Sequence, residues 1–100
     1  MTRTIVQYQV RPDRADENQR LIEAVFAELA SLAPGGVRYA AYRLEDGVTF
    51  VHVVDEDDGV LATLHAFAAF RAGFAERTVS GPTSHTATLV GAHRPTPATA

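Results

Sequence analysis

The sequence of 100 residues predicts one α+β domain in which strand, helix, strand, strand, helix and strand follow one another. Three observations carry that expectation. Apolar residues alternate with polar ones over residues 4–10 and 84–90, the period of a half-buried strand. They return every three or four positions over residues 21–32 and 61–74, the period of an amphipathic helix. Between these segments, Asp46-Gly47 sits between two β-branched and aromatic runs, the strongest local hairpin signal a sequence offers.

In the first strand, Val6, Tyr8 and Val10 alternate with Gln7 and Gln9, and Arg11-Pro12 stops it. Asp13 is placed to cap a helix with Asp16 at its third position, and Asp16 and Glu17 fall in a first turn where the positive helix end favours carboxylates. Leu21, Ile22, Val25, Phe26, Leu29 and Leu32 form one apolar face, and Pro34-Gly35-Gly36 ends the helix. The hairpin joins residues 37–44 to residues 49–54. A two-residue turn sets Glu45 opposite Val48, then pairs Leu44/Thr49, Arg43/Phe50, Tyr42/Val51, Ala41/His52, Ala40/Val53 and Tyr39/Val54. One face then carries Ala40, Tyr42, Leu44, Val51 and Val53; the other carries Val37, Tyr39, Ala41, Phe50, His52 and Val54.

An acidic link over residues 55–59 leads into the second helix, marked by Leu61, Leu64, Phe67, Phe70 and Phe74. Gly73 weakens its last turn by roughly 1 kcal/mol relative to Ala. Ser80-Gly81-Pro82 breaks the chain before the last strand, in which His85, Ala87 and Leu89 alternate with Thr86, Thr88 and Val90. This order is the ferredoxin-like βαββαβ arrangement: a four-stranded antiparallel sheet of order 4-1-3-2 with both helices on one face. Residues 1–93 form the single domain and residues 94–100, rich in Pro, Thr and Ala, a flexible tail. Both faces of the hairpin are apolar, and at 46% hydrophobic content the chain holds more apolar surface than one layer of helices covers. The second sheet face is therefore expected to pack on another copy of the chain, as a homodimer.

Composition excludes several classes of function. Without cysteine there is no disulfide, thiolate nucleophile, iron–sulfur cluster or cysteine zinc site. All the basic residues are arginines, scattered singly and outnumbered by carboxylates, and the net charge is −3. Nucleic acid and anionic membranes are not expected partners. No run of ~18 apolar residues is present to cross a membrane, and charge and glutamine interrupt the N-terminal apolar residues, so a cytoplasmic protein is expected. Serine lies in no GxSxG elbow, and no glycine-rich phosphate loop appears. The acidic run at residues 55–58 departs from an EF-hand, because Gly59 falls one position early and Ala66 stands where the closing Glu belongs.

The opening strand Ile5-Val6-Gln7-Tyr8-Gln9-Val10 with Pro12, the hairpin from Tyr39 to Val51, and the helix from Leu61 to Phe70 resemble the antibiotic biosynthesis monooxygenase-like family of small dimeric α+β barrels. The resemblance spans about residues 4–91. It implies a homodimer with a ligand cavity between each sheet and its helices. It also implies a cofactor-independent monooxygenase acting on a small aromatic, phenolic or quinol-like compound with O₂. The alternative is a non-catalytic dimeric barrel that binds a small hydrophobic molecule or serves as an accessory protein. The strand-one Asn and the helix-two Trp of oxygenating members have no counterpart, because Asn18 is the only Asn and Trp is absent. Haem-degrading members carry a His late in helix two, whereas His65 stands at its beginning, which disfavours haem chemistry.

His52 is the most informative polar residue, an imidazole among Tyr39, Phe50 and Val54 and opposite the small Ala41. It is either a pocket base that removes a phenolic proton or a core histidine satisfied by a neighbouring hydroxyl or carbonyl. His65, beside the small strip of Ala68, Ala69 and Ala72, is the second catalytic candidate, with a solvent-facing first-turn position as its alternative. Tyr8, Tyr39, Phe67 and Phe70 are the candidate substrate-binding residues, and strand tyrosines also serve simply as packing with a wet tip. Arg38 and Arg43 lie on the expected edge strand, where charge discourages unwanted strand addition. No metal site is expected.

Overall fold

The alternation at the start of the chain builds β1 (Thr2–Val10), which ends at the 3₁₀ turn Pro12–Arg14 and passes into α1 (Ala15–Leu32). The hairpin strands are β2 (Val37–Arg43) and β3 (Thr49–Glu56). A 3₁₀ turn over Val60–Thr63 leads to α2 (His65–Arg71), α3 (Phe74–Arg77) and β4 (Thr78–Thr88). The computed structural model describes residues 2–56 and 59–93. The expected tail over residues 94–100 and the middle of the acidic link at residues 57–58 lie outside the described residues.

The sheet order is β2-β3-β1-β4 and every neighbouring pair is antiparallel, the ferredoxin-like topology the sequence predicts. The hairpin register also agrees, with Tyr39 opposite Val54, Ala41 opposite His52 and Arg43 opposite Phe50. Its loop is wider than a two-residue turn. Pairing closes at Leu44 and Thr49, where the Leu44 amide donates to the Thr49 carbonyl across 2.8 Å. Asp46 Oδ1 accepts from the Val48 and Thr49 amides, an Asx-type arrangement that satisfies the loop backbone.

Strand pairing sets Val6 opposite His52 and Tyr8 opposite Phe50, so β1, β2 and β3 send Val6, Tyr8, Tyr39, Phe50, His52 and Val54 to one face. There they meet Ile22 and Val25 of α1 and Leu61, Leu64 and Phe70 from the second helical region. The opposite face carries Ala40, Tyr42, Val51 and Val53, with Tyr42 57% exposed.

The second helix is not continuous as expected. Leu64 is extended between the 3₁₀ turn and α2, and Gly73 at φ +73° separates α2 from α3. A left-handed residue cannot continue a right-handed helix, and glycine adopts that conformation without Cβ strain. The start of α2 is held from outside its own segment, because the Glu28 carboxylate of α1 accepts the backbone amides of His65 and Ala66. Asp13 does not cap α1 either: Pro12–Arg14 makes a 3₁₀ turn, and Arg14 pairs with Glu17 across 2.7 Å.

β4 starts earlier than expected, and Ser80-Gly81-Pro82 lies within it rather than before it. A register shift opposite Gln9 accommodates this segment. Gly81, at φ +90°, is pressed against β1: a Cβ there would lie 2.9 Å from the Gln7 carbonyl oxygen and 3.1 Å from Tyr8 Cα. Only glycine fits, and the close approach fixes the strand that carries Tyr8.

Candidate functional site

A cavity of about 500 Å³ lies between the helix-covered sheet face and the broken second helix. That volume is within the roughly 300–1,000 Å³ range of small-molecule sites. Phe67, Phe70 and Phe74 supply its helical wall, while Val6 and Val54 supply its sheet floor. The aromatic rings form a continuous surface: Tyr8 meets Phe74 edge-on at 4.8 Å, and His52 lies 5.7 Å from Phe70 between ring centroids. Such a lining favours a flat, apolar guest. Its polar wall is confined to Tyr8, Tyr39 and His52, with the exposed Arg71 at the rim.

The polar wall is one connected chain. His52, 5% exposed, has Nε2 2.8 Å from the Tyr8 hydroxyl and Nδ1 2.5 Å from the Tyr39 hydroxyl. Asn18 Nδ2, from α1, donates to the Tyr8 hydroxyl across 2.9 Å. Arg77 Nε, from α3, donates to Asn18 Oδ1 across 3.1 Å. Phe26 stacks on Tyr39 at 4.7 Å and fixes the outer end. Five residues from β1, α1, β2, β3 and α3 thus converge on one wall.

Arg77 is the unusual member, a guanidinium only 1% exposed. Among the described residues it has no carboxylate within ion-pair distance. Its positive charge is instead spread over the Phe70 and Ala72 carbonyls, Asn18 Oδ1, and the faces of Phe70 and Phe74 at 5.4 and 5.7 Å. Burial lowers its pKa from the ordinary arginine value. The cation sits immediately behind the aromatic wall of the cavity.

Burial dominates the ionisation of the other members. It lowers the His52 pKa to about 4, so the imidazole is neutral at pH 7. It raises Tyr8 to about 12, against the opposing pull of the Asn18 hydrogen bond and the Arg77 charge. Tyr39 is also raised well above the usual tyrosine value, by burial and then by Tyr8. At neutral pH this hydrogen-bonded group of five side chains is uncharged except at Arg77.

The structure brings together Tyr8, Tyr39, His52, Phe67 and Phe70 on the cavity. His65 stands apart: its side chain is exposed at the start of α2 and does not line the cavity. Two members of the site were not among the sequence candidates. Asn18 lies in an acidic, polar stretch at the start of α1, yet it is fully buried. Arg77 lies beyond the glycine that breaks the second helix, and the pair joins residues 59 positions apart.

No protein-family model matches the sequence, and no curated protein does. The fold, in contrast, matches solved structures over most of the chain. One is an antibiotic biosynthesis monooxygenase, with a TM-score of 0.72 at 16% identity, covering 91% of this chain and 100% of that one. The Rv0793 protein of Mycobacterium tuberculosis matches with a TM-score of 0.69 at 18% identity over 93% of this chain and 98% of its own. The NE2512 protein of Nitrosomonas europaea, described as of unknown function, matches with a TM-score of 0.68 at 23% identity over 95% and 94% of the two chains. At these identities the likeness establishes a shared fold.

Proposed function

We propose that the chain is a cofactor-independent monooxygenase-like protein that takes a small, flat phenolic or quinol-like compound into the aromatic cavity. The observation that carries this reading is the His52 imidazole held between two tyrosine hydroxyls on the wall of an otherwise apolar cavity. The rings clamp the guest, and Tyr39 at the outer end of the chain meets its oxygen. The fold shared with a protein named as an antibiotic biosynthesis monooxygenase supports the same reading.

In this reading His52 has a part different from that of a strong base. Moving a phenolic proton onto an imidazole of pKa about 4 is uphill by roughly 8 kcal/mol. The proton therefore leaves to solvent at the rim, and the hydroxyl chain stabilises the anion that remains. For a substrate CH₂ flanked by phenolic rings, the carbanion transfers one electron to O₂, and the radical pair recombines to a peroxide that takes up a proton. Loss of water then leaves a carbonyl: R₂CH₂ and O₂ become R₂C=O and H₂O. All four electrons come from the substrate, so the balance requires no external reductant.

The same low basicity favours a second reading, a ligand-binding protein without turnover. An oxygen electrode with a panel of quinols and anthrones distinguishes them. With anthrones the oxygenase predicts one O₂ consumed per quinone formed and one O₂-derived oxygen in the new carbonyl, with turnover reduced in a folded His52→Ala variant. Saturable binding without oxygen uptake across the panel supports the binding protein and rejects the oxygenase.

We further propose a homodimer closed through the uncovered sheet face, where Ala40, Tyr42, Val51 and Val53 give an apolar surface. No described helix is long and apolar enough to cross a membrane.

A further inference from the structure

We infer that Asn18, held by Arg77, is a positioning residue that points every hydrogen bond of the chain toward the cavity and makes Tyr39 select ligands that present an accepting oxygen. This deepens the reading of the cavity as a ligand site and rests on it.

The direction follows from the fixed end. Arg77 Nε can only donate, so the Asn18 group it contacts is the carbonyl oxygen, and the amide nitrogen is left to face Tyr8. The Tyr8 oxygen accepts that bond and turns its own hydrogen to His52 Nε2. The imidazole proton is then on Nδ1 and is donated to the Tyr39 oxygen. The Tyr39 hydrogen has no protein acceptor among the described residues and faces the cavity. The opposite tautomer directs two donors onto Tyr8 and strands the free hydrogen there, on a residue only 3% exposed. It also breaks the head-to-tail order in which hydrogen bonds polarise one another.

The ligand class follows from the order of donors. A quinone carbonyl, a phenolate or a phenolic oxygen completes the chain, whereas a ligand with only an N–H to offer meets a donor. Asn18→Asp is nearly isosteric and gives Arg77 a carboxylate partner. That carboxylate accepts the Tyr8 hydrogen, the imidazole proton moves to Nε2, and Tyr39 donates to Nδ1. Its lone pairs then face the cavity, and preference passes to donors.

The test uses the full chain labelled with ¹⁵N at histidine. The His52 ring-nitrogen shifts report the Nδ1–H tautomer in the native chain and the Nε2–H tautomer in Asn18→Asp. Binding of 1,4-naphthoquinone, which only accepts, is compared with binding of indole, which only donates; the chain has no cysteine to trap the quinone. The preference for naphthoquinone over indole falls by roughly tenfold in Asn18→Asp. If that variant does not fold, Tyr39→Phe serves: removing the hydroxyl lowers the preference for naphthoquinone over indole several-fold. An Nε2–H tautomer in the native chain, no change of tautomer in Asn18→Asp, or an unchanged ligand ratio overturns the inference. Absence of oxygen uptake removes the oxygenase alone, because the tautomer is read without turnover.

Discussion

Arg77 Nε donates to Asn18 Oδ1 across 3.1 Å, joining the end of α3 to the first turns of α1 behind the cavity wall. Both side chains are removed from water, at 1% and 0% exposure. Arg77→Leu leaves Asn18 Oδ1 and the Phe70 and Ala72 carbonyls without their donor. Loss of about 2–4 kcal/mol is expected from urea unfolding. A variant as stable as the native chain would show that the guanidinium holds nothing together.

His52 couples stability to acidity. Its folded pKa of about 4 lies below the ordinary histidine value of 6.5, so between these values the unfolded chain binds the proton more readily. Stability from this residue is complete above about pH 6.5 and is lost as pH falls toward 4, by about 3 kcal/mol. Urea midpoints from pH 7 to 4 are expected to fall less steeply in His52→Gln than in the native chain. Parallel curves contradict the buried neutral imidazole. At the alkaline end the order is reversed: Tyr8, with its pKa raised to about 12, stabilises the fold below pH 10 and ceases to do so as pH rises toward 12.

Gly81 is the point where β4 is pressed onto the strand carrying Tyr8. Gly81→Ala adds a methyl 2.9 Å from the Gln7 carbonyl oxygen and strains a backbone at φ +90°. More than about 1 kcal/mol of destabilisation is expected by thermal or urea unfolding. Native stability in this variant would mean that β1 and β4 separate without penalty.

The uncovered sheet face bears on assembly. Light scattering at micromolar concentration is expected to give twice the 10.8 kDa chain mass. Tyr42→Glu, which places charge on that face where the side chain is 57% exposed, should shift the species toward the monomer. A native monomer contradicts closure through this face.

The strand order and hairpin register were legible because alternation and Asp46-Gly47 act locally: a slip by one residue would have turned His52 and Phe50 to the uncovered face. The gathering of Tyr8, Tyr39 and His52 follows from that register. The broken second helix was less legible, since Leu61, Phe67, Phe70 and Phe74 keep a helical period across Gly73, and one glycine is compatible with either a weak turn or a break. Ser80-Gly81-Pro82 reads as a chain break but forms an irregular part of β4, because a backbone contact rather than a side chain decides it. Asn18 and Arg77 were hidden for a different reason. Each carries a polar side chain in a polar neighbourhood, and only their long-range contact reveals that both are buried.

If the aromatic cavity binds a ligand with Tyr39 at its polar end, that ligand can be located there directly. The most direct measurement is a structure of the full chain soaked or co-crystallised with 1,4-naphthoquinone. The ring system is expected between Phe67, Phe70 and Val54, with one carbonyl oxygen about 3 Å from the Tyr39 hydroxyl. A ligand bound elsewhere, or seated in the cavity with its oxygens turned away from Tyr39, would contradict it.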